Sequence, residues 1–334
     1  MSPKFASLQG HDVHKSTAQI TPILTVTLNP AIDISTSTAH VVAGPKLRCT
    51  DPETDPGGGG INVSRAIRIL GGHSTALVAL GGATGERLAG MLIRSGLTLA
   101  GFDAPGETRE SFSILDGTTH QQYRFVLPGA RWPRAATTAA LDAIERAAPA
   151  GGYVVLSGSQ PPGVEDDFPV RLGARLAGKG AKYILDTSGA PLIRVAEGRD
   201  AHLDVLRMNH DEAAELAGHP LTTRKESADF AQSLVTAGAA RIVIVARGSE
   251  GNVLATAEER LFASAYEVPV KSRVGAGDSF VGAFTYSLAR GESPAQALKW
   301  GTATASAAVM TPETKLCTIK DVKRLLQGET DGRL

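Results

Sequence analysis

Lys271-Ser-Arg-Val-Gly-Ala-Gly-Asp278-Ser-Phe-Val-Gly-Ala-Phe284 is a turn of small residues that ends in one carboxylate and runs directly into a helix. Gly275, Ala276 and Gly277 let backbone N–H groups crowd around an anion. The helix beginning near Asp278 brings its positive dipole end to the same place. Read alone, Asp278 is more readily an N-cap after a glycine turn than a catalytic group. A carboxylate set against a bound anion is repelled by it unless it has a task there, and taking a proton from an attacking hydroxyl is such a task.

A second glycine turn lies near the other end of the chain, in Asp55-Pro-Gly57-Gly58-Gly59-Gly60-Ile61-Asn62-Val-Ser-Arg65-Ala66-Ile67-Arg68-Ile-Leu70-Gly71-Gly72. Ile61, Ala66, Ile67 and Leu70 recur at helical spacing with Arg65 and Arg68 between them, and Gly71-Gly72 stops the run. The turn lacks the Gly-Lys-Ser/Thr of a Walker loop and the spacing of the dinucleotide fingerprint. One such turn is often only a tight connection; two in one chain argue for a phosphate-handling site.

Between the two turns, short apolar runs alternate with helical ones. Ser74–Leu80, Tyr153–Leu156, Tyr183–Leu185, Val205–Met208 and Arg241–Val245 read as strands; Leu141–Ala148, Pro169–Leu176, Asp211–Leu216 and Ala228–Thr236 read as helices. The alternation predicts an α/β fold with a mostly parallel sheet covered on both faces and ligands at the carboxyl ends of its strands. Ile34–Thr54 and Ser111–Val126 break the pattern: they are rich in β-formers of alternating polarity and predict a small separate sheet.

Composition narrows the function classes. The 334 residues contain 34 Lys plus Arg and 34 Asp plus Glu, so no net basic field points to nucleic acid or an anionic membrane. Cys49 and Cys317 are too few for a disulfide framework and read as packing thiols of a cytoplasmic protein. The scattered histidines offer no zinc spacing. Residues 1–20 are polar and lack the apolar core of a signal peptide or membrane segment; they and 328–334 read as flexible ends flanking one domain over 21–327.

The two turns, with Thr27-Leu-Asn-Pro-Ala-Ile-Asp33, Gly44-Pro-Lys46-Leu-Arg48, Gly81-Gly-Ala-Thr-Gly-Glu86, Thr108-Arg109-Glu, Tyr123-Arg-Phe-Val-Leu-Pro-Gly129 and Ser157-Gly-Ser-Gln-Pro-Pro-Gly163, resemble the PfkB-type, ribokinase-like sugar kinases over roughly residues 23–325. Within that family they are most similar to the minor, type-2 ATP-dependent 6-phosphofructokinases. The resemblance implies a three-layer α/β/α sandwich with a β lid that closes over the sugar and pairs two subunits into a homodimer. It implies ATP with Mg2+ as phosphoryl donor and fructose 6-phosphate as acceptor, with fructose 1-phosphate and tagatose 6-phosphate as alternatives.

Residue by residue, the resemblance makes Asp278 the general base, with the Gly275, Ala276 and Gly277 amides around the transferred group. Asp33, Gly57, Gly58 and Asn62 fall to the sugar; Lys46, Arg48, Arg109 and Ser159 fall to its phosphate end, where guanidinium and ammonium groups suit a dianion. Arg207, Asn209, Gly248, Gly251, Ser272 and Val274 fall to the nucleotide, as do Thr302 and Ser306 on the following helix, and Glu212 to the magnesium. Locally, Asp33 is equally a turn residue, Ser159 equally a turn serine and Glu212 equally a first-turn helix carboxylate. The chain departs from the usual pattern around the nucleotide: Arg207-Met208 replaces a lysine-proline pair, Ala246 a frequent serine and Arg273 a small polar residue. A binding protein without turnover is the rival reading, and the retention of Asp278, Glu212 and both turns argues against it.

Overall fold

Runs such as Tyr153-Val-Val-Leu-Ser157 are buried along their whole length, which is the signature of a strand covered on both faces rather than one alternating between core and water. The computed structural model describes residues 20–198, 200–312 and 315–328, so the ends expected over 1–20 and 328–334 lie almost wholly outside the described residues. The first half comprises β1 (Ile23–Thr27), β2 (Ala31–Thr38), β3 (Glu53–Gly57), α1 (Gly59–Ile69), β4 (Thr75–Leu80), α2 (Gly82–Arg94), β5 (Thr98–Asp103), β6 (Arg109–Asp116), β7 (Gln122–Val126), α3 (Arg134–Ala147) and β8 (Tyr153–Ser157). There follow α4 (Phe168–Ala177), β9 (Lys182–Asp186), α5 (Ala190–Ala196), β10 (Val205–Asn209), α6 (His210–Ala217), α7 (Arg224–Ala237), β11 (Ile242–Ala246), β12 (Gly251–Ala255), β13 (Arg260–Ser264), α8 (Ala276–Ala289), α9 (Pro294–Val309) and α10 (Ile319–Leu326).

The main sheet has nine strands in the order β13-β12-β11-β10-β9-β8-β1-β4-β5. It is parallel from β11 to β5, and the β11-β12-β13 edge is antiparallel. Alternate side chains of each strand feed two cores. Leu24, Val26, Leu156, Leu185 and Leu206 pack beneath α3 to α7 with Leu141, Phe168 and Leu172. On the other face Val155, Ile184, Val205 and Ile244 meet Val63 and Ile67 of α1 with Phe280 and Phe284 of α8. The result is the expected three-layer sandwich. Glycines let the layers approach: a Cβ at Gly282 on α8 would sit 2.8 Å from the Ala66 Cβ on α1, so these two helices pack nearly backbone to backbone.

The small sheet has the order β3-β2-β6-β7. Register puts Asp33, Ser35, Ser111, Ser113 and Arg124 on one face and Ile32, Ile34, Phe112, Ile114 and Phe125 on the other. Only the ends of the 34–54 stretch are strand; residues 39–52 form a loop touched by one bridge from Thr38 to Cys49. Four-residue-scale punctuation by Gly44 and Pro45 explains why the β-rich composition of that stretch does not extend into ladder pairing. Buried Asp116 ties the outer end of the lid, accepting N–H bonds from Val41 (2.8 Å), Thr118 (2.8 Å) and Thr119 (2.9 Å), and these bonds hold its carboxyl well below the usual range.

Cys317 is buried and its thiol is pushed up to about 12 by desolvation, as a packing thiol should be. Cys49 is exposed on the lid loop, against the expectation that both cysteines pack inside. No helix among the described residues is long and apolar enough to cross a membrane.

Candidate active site

The carboxyl ends of β1, β8, β9 and β10 and the N-termini of α1 and α8 meet at one end of the main sheet. Each glycine turn is forced by close approach. A Cβ at Gly60 would lie 2.3 Å from the Val26 carbonyl oxygen, so α1 begins directly against β1. Gly275 takes φ +74 at the N-cap of α8, a left-handed conformation that L side chains resist, and this aims the Ala276 and Gly277 backbone outward. With no capping side chain on either helix, both helix starts leave N–H groups for a ligand.

Asp278 stands in the first turn of α8. Its Oδ2 accepts a 2.9 Å hydrogen bond from Nδ2 of Asn62, 216 residues earlier on α1. Arg65 donates to the Asn62 Oδ1 at 3.0 Å, which fixes the amide so that its N–H side faces the carboxylate. Desolvation, aided by the like charge of Asp186, pushes the Asp278 pKa up to about 6; Asn62, Arg207 and the Ser157 hydroxyl pull against that rise. A carboxylate with that proton affinity is matched to accepting a proton near neutrality.

Asp186 at the end of β9 accepts from Arg207 (3.0 Å) and from the Ser157 hydroxyl (3.2 Å). Arg207 lies directly beneath the anion turn, since a Cβ at Gly277 would be 3.0 Å from its Nη1. Its Nε is buried and has no partner among the described residues. The strand expected to offer a nucleotide contact therefore places a guanidinium beneath Gly277.

The polar face of the lid looks across at this turn. Asp33, Ser35, Ser111, Ser113, Arg124 and Val274 of the turn line one narrow cleft. Burial raises the Asp33 pKa, and Arg109 and Arg124 oppose that rise. Gly57 packs under Asp33: a Cβ there would meet Oδ2 at 2.3 Å. Gly58 precedes α1 with φ +126. Arg109 donates from Nε and Nη2 to the Asn29 carbonyl, both at 3.2 Å, and from Nη1 to the Leu127 carbonyl at 2.9 Å, so its fork is held in place with donors left over. Asn29 also donates to Ser159 Oγ at 3.4 Å, bringing that serine to the same corner.

Not every expected residue joins this cluster. Lys46 and Arg48 sit exposed in the loop beyond the outer end of β2, roughly 17 Å along the strand from Asp33 at ~3.3 Å per residue. Thr302 and Ser306 lie on α9, the second helix after the turn rather than the first. Both are buried with internal partners: Thr302 accepts from Asn252 Nδ2 (3.0 Å) and Ser306 from the Tyr266 N–H (3.2 Å). Hydroxyls so engaged brace β12 and the 265–270 segment.

Among the residues expected to meet a nucleotide, Asn209 caps α6 by accepting from the Glu212 N–H (2.9 Å), while Glu212 Oε2 accepts from the Asn209 N–H (2.7 Å). Desolvation raises the Glu212 pKa despite that bond, with Asp186 adding to the rise. Gly248 (φ +59) and Gly251 (φ +117) frame one turn of 3-10 helix after β11, and Ser272 Oγ accepts from the Val274 N–H at 3.2 Å. Arg65, Arg124, Ser157 and Asp186 went unassigned in the sequence. Arg65, Arg124 and Ser157 stand inside the motifs named above, so their signal is present in the sequence; Asp186 ends an unremarkable apolar run and gives none.

A turn of free amides facing a hydrogen-bonded carboxylate, with guanidinium groups on a lid opposite, defines an α/β phosphotransferase acting on an alcohol. The pfkB family carbohydrate kinase model matches residues 26–321, and the chain belongs to that family. It is 39% identical over 305 residues to the ATP-dependent 6-phosphofructokinase isozyme 2 of Mycobacterium tuberculosis, covering 91% of this chain and 89% of that protein. It is 30% identical over 266 residues to the 1-phosphofructokinase of Xanthomonas campestris, covering 79% and 83%. Among solved structures it is similar to Escherichia coli phosphofructokinase-2 in complex with fructose-6-phosphate, with a TM-score of 0.85, 34% identity and coverage of 92% and 99%.

Proposed function

We propose that this chain transfers the γ-phosphoryl group of ATP to the C1 hydroxyl of fructose 6-phosphate, giving fructose 1,6-bisphosphate and ADP. The observation that carries the reading is the Asn62–Asp278 hydrogen bond, which joins the two glycine turns into one site with a base of raised proton affinity. Asp278 takes the proton of the C1 hydroxyl, the freed oxygen attacks the γ-phosphorus, and the bond to the ADP oxygen breaks. The Gly275, Ala276 and Gly277 amides and Arg207 stabilise the charge on the transferred group, a contribution of about 2.7–4 kcal/mol for one well-placed oxyanion donor.

Asp33, Asn62, Gly57 and Gly58 hold the sugar; Arg109, Arg124 and Ser159 hold its phosphate. Lys46 and Arg48 are exposed on the loop past β2, away from Asp33, so their expected part in holding that phosphate requires this loop to be supplied by a second copy. Phe125 and Val126 are more than half exposed at the lid's β7 edge and Leu127 just past it is exposed too, a surface suited to pairing in a homodimer. Asn209, Gly248, Gly251, Ser272 and Val274 flank the nucleotide. Among the described residues no cluster of three or more His, Cys, Asp or Glu forms a metal cage. The donor set, Glu212 beside Asp186, suits Mg2+ that arrives with the nucleotide and keeps its waters; the ion supplies charge neutralisation on the phosphates. Two free cysteines and reliance on ATP fit the cytoplasm.

The 1-phosphofructokinase relative keeps a second acceptor in view, because a fructofuranose ring presents similar ends to the same groups. A coupled assay of ADP release on fructose 6-phosphate, fructose 1-phosphate, tagatose 6-phosphate and fructose tests the reading. Higher kcat/KM on fructose 6-phosphate is expected; preference for another sugar phosphate refutes the acceptor, and equal rates on free fructose refute the phosphate site.

A further inference from the structure

Away from the reaction site, a cleft of about 470 Å³ opens between the end of α1 and the end of α2, lined by Arg65, Arg68, Ile69, Gly71, Gly72, His73, Ser95 and Leu97. No carboxylate lines it. Arg68 has no ion pair or side-chain hydrogen bond among the described residues, and its guanidinium lies over bare backbone: a Cβ at Gly96 would meet Nη2 at 2.5 Å. The guanidinium is not consumed in capping. Leu70, Gly71 and Gly72 N–H groups already satisfy the carbonyls of Ala66, Arg68 and Ile67, and Ser95, Gly96 and Leu97 do the same for Met91, Ile93 and Leu92. The favourable placement of a cation beside two helix C-termini accounts for the presence of Arg68; it does not account for a concave space of ligand size with imidazole and hydroxyl groups on its wall.

The cleft is also wired to the chemistry. Arg65, at its inner end, donates to the Pro56 carbonyl (3.3 Å) and to Asn62 Oδ1 (3.0 Å), and Asn62 donates to Asp278. Two hydrogen bonds therefore separate the cleft wall from the reacting carboxylate. An anion that draws Arg65 toward the cleft loosens the Asn62 amide from its fixed pose.

We propose that this cleft binds a small phosphorylated metabolite, with Arg68 and His73 as its primary contacts, and that occupancy lowers turnover through Arg65 and Asn62. Planar guanidinium forks suit phosphate and carboxylate oxygens, and the volume holds one molecule of sugar-phosphate size.

Calorimetric titration of the full chain with 3-phosphoglycerate and with inorganic phosphate, in the presence of saturating MgADP and fructose 6-phosphate, tests the site. One saturable site is expected, weakened at least about tenfold in Arg68→Ala by loss of a charged hydrogen bond. His73→Ala should weaken it less, and neither substitution should change turnover without the anion. Because the readout is heat and the loss follows Arg68, failure here is distinct from failure of the acceptor assignment. Absence of binding at millimolar anion, or unchanged affinity in Arg68→Ala, overturns the site. Binding that leaves kcat unchanged overturns the coupling through Arg65.

Discussion

Replacing Asp278 with asparagine should cost activity and add stability, and the two effects come from the same burial. The carboxylate's pKa moves from an ordinary 3.8 to about 6 because the protein desolvates it and sets Asp186 nearby. Two units correspond to about 3 kcal/mol at ~1.36 kcal/mol each, an upper bound because Asp278 remains partly open to the cleft. The sign follows from proton uptake. Between pH 3.8 and about 6 the folded chain holds the proton that the unfolded chain has released, so stability falls as pH rises through this window and is level above it. Asp278→Asn removes the charge but keeps an acceptor for Asn62. Urea unfolding should therefore show the variant more stable than the parent by up to about 3 kcal/mol at pH 7, with the difference vanishing near pH 3.8. Turnover should fall roughly 10²- to 10⁴-fold. Retained turnover would refute the base assignment. A stability difference that does not change between pH 4 and 7 would refute the electrostatic account of the raised pKa.

Other outcomes follow from single contacts. In the parent enzyme kcat/KM should fall as pH drops through about 6, when Asp278 gains its proton; in Asn62→Ala the midpoint should move to higher pH, because a donor that favours the charged form is gone, and a pH–rate series decides. Arg109→Ala should raise KM for the sugar phosphate about 10- to 150-fold, the equivalent of about 1.5–3 kcal/mol, whereas a change confined to the KM for ATP would place Arg109 wrongly. Phe125→Asp with Val126→Asp should shift the protein to monomers in analytical ultracentrifugation; an unchanged assembly would remove β7 from the interface. Fructose 6-phosphate should exceed free fructose in kcat/KM by at least about tenfold, since one charged phosphate anchor is worth more than about 1.4 kcal/mol.

Much of this fold is legible in the sequence. The buried strands β4, β8, β9, β10 and β11 announced themselves as short apolar runs, each placed within a residue or two of its final bounds. β12 and β13 did not. Gly251-Asn-Val-Leu-Ala255 is short and carries a polar residue, and Arg260-Leu-Phe-Ala-Ser264 is an edge strand whose pattern is weak. The helices α8 and α9 are apolar nearly all round because they pack on each other and on α1, so amphipathic periodicity is missing and α8 is legible only from the glycine turn at its start. The site divides in the same way. Motif residues, Ser157 among them, can be named from the chain, but Asp186 matters only because β8 and β9 are neighbours, a fact that pairing supplies and sequence order does not.

The departures from the family pattern at Arg207 and Met208 acquire a different meaning once placed. Arg207, where related enzymes commonly carry lysine, keeps a cation under Gly277 and gives part of its fork to Asp186. Because both groups are largely removed from water, the pair's value lies in placement rather than in net stability, since burying an ion pair costs desolvation that its attraction only partly offsets. Asp186 in turn raises the proton affinity of Asp278, while Arg207 lowers it. The two act oppositely on one carboxylate, so removing Arg207 leaves Asp186 unpaired beside the base and pushes its pKa upward. An Arg207→Met variant should thus lose activity most at low pH, with the acid limb moved toward neutrality, whereas Arg207→Lys should restore the limb because the charge is kept. If instead both variants share the parent's pH profile and differ only in KM for ATP, Arg207 serves the nucleotide alone and exerts no hold on Asp278.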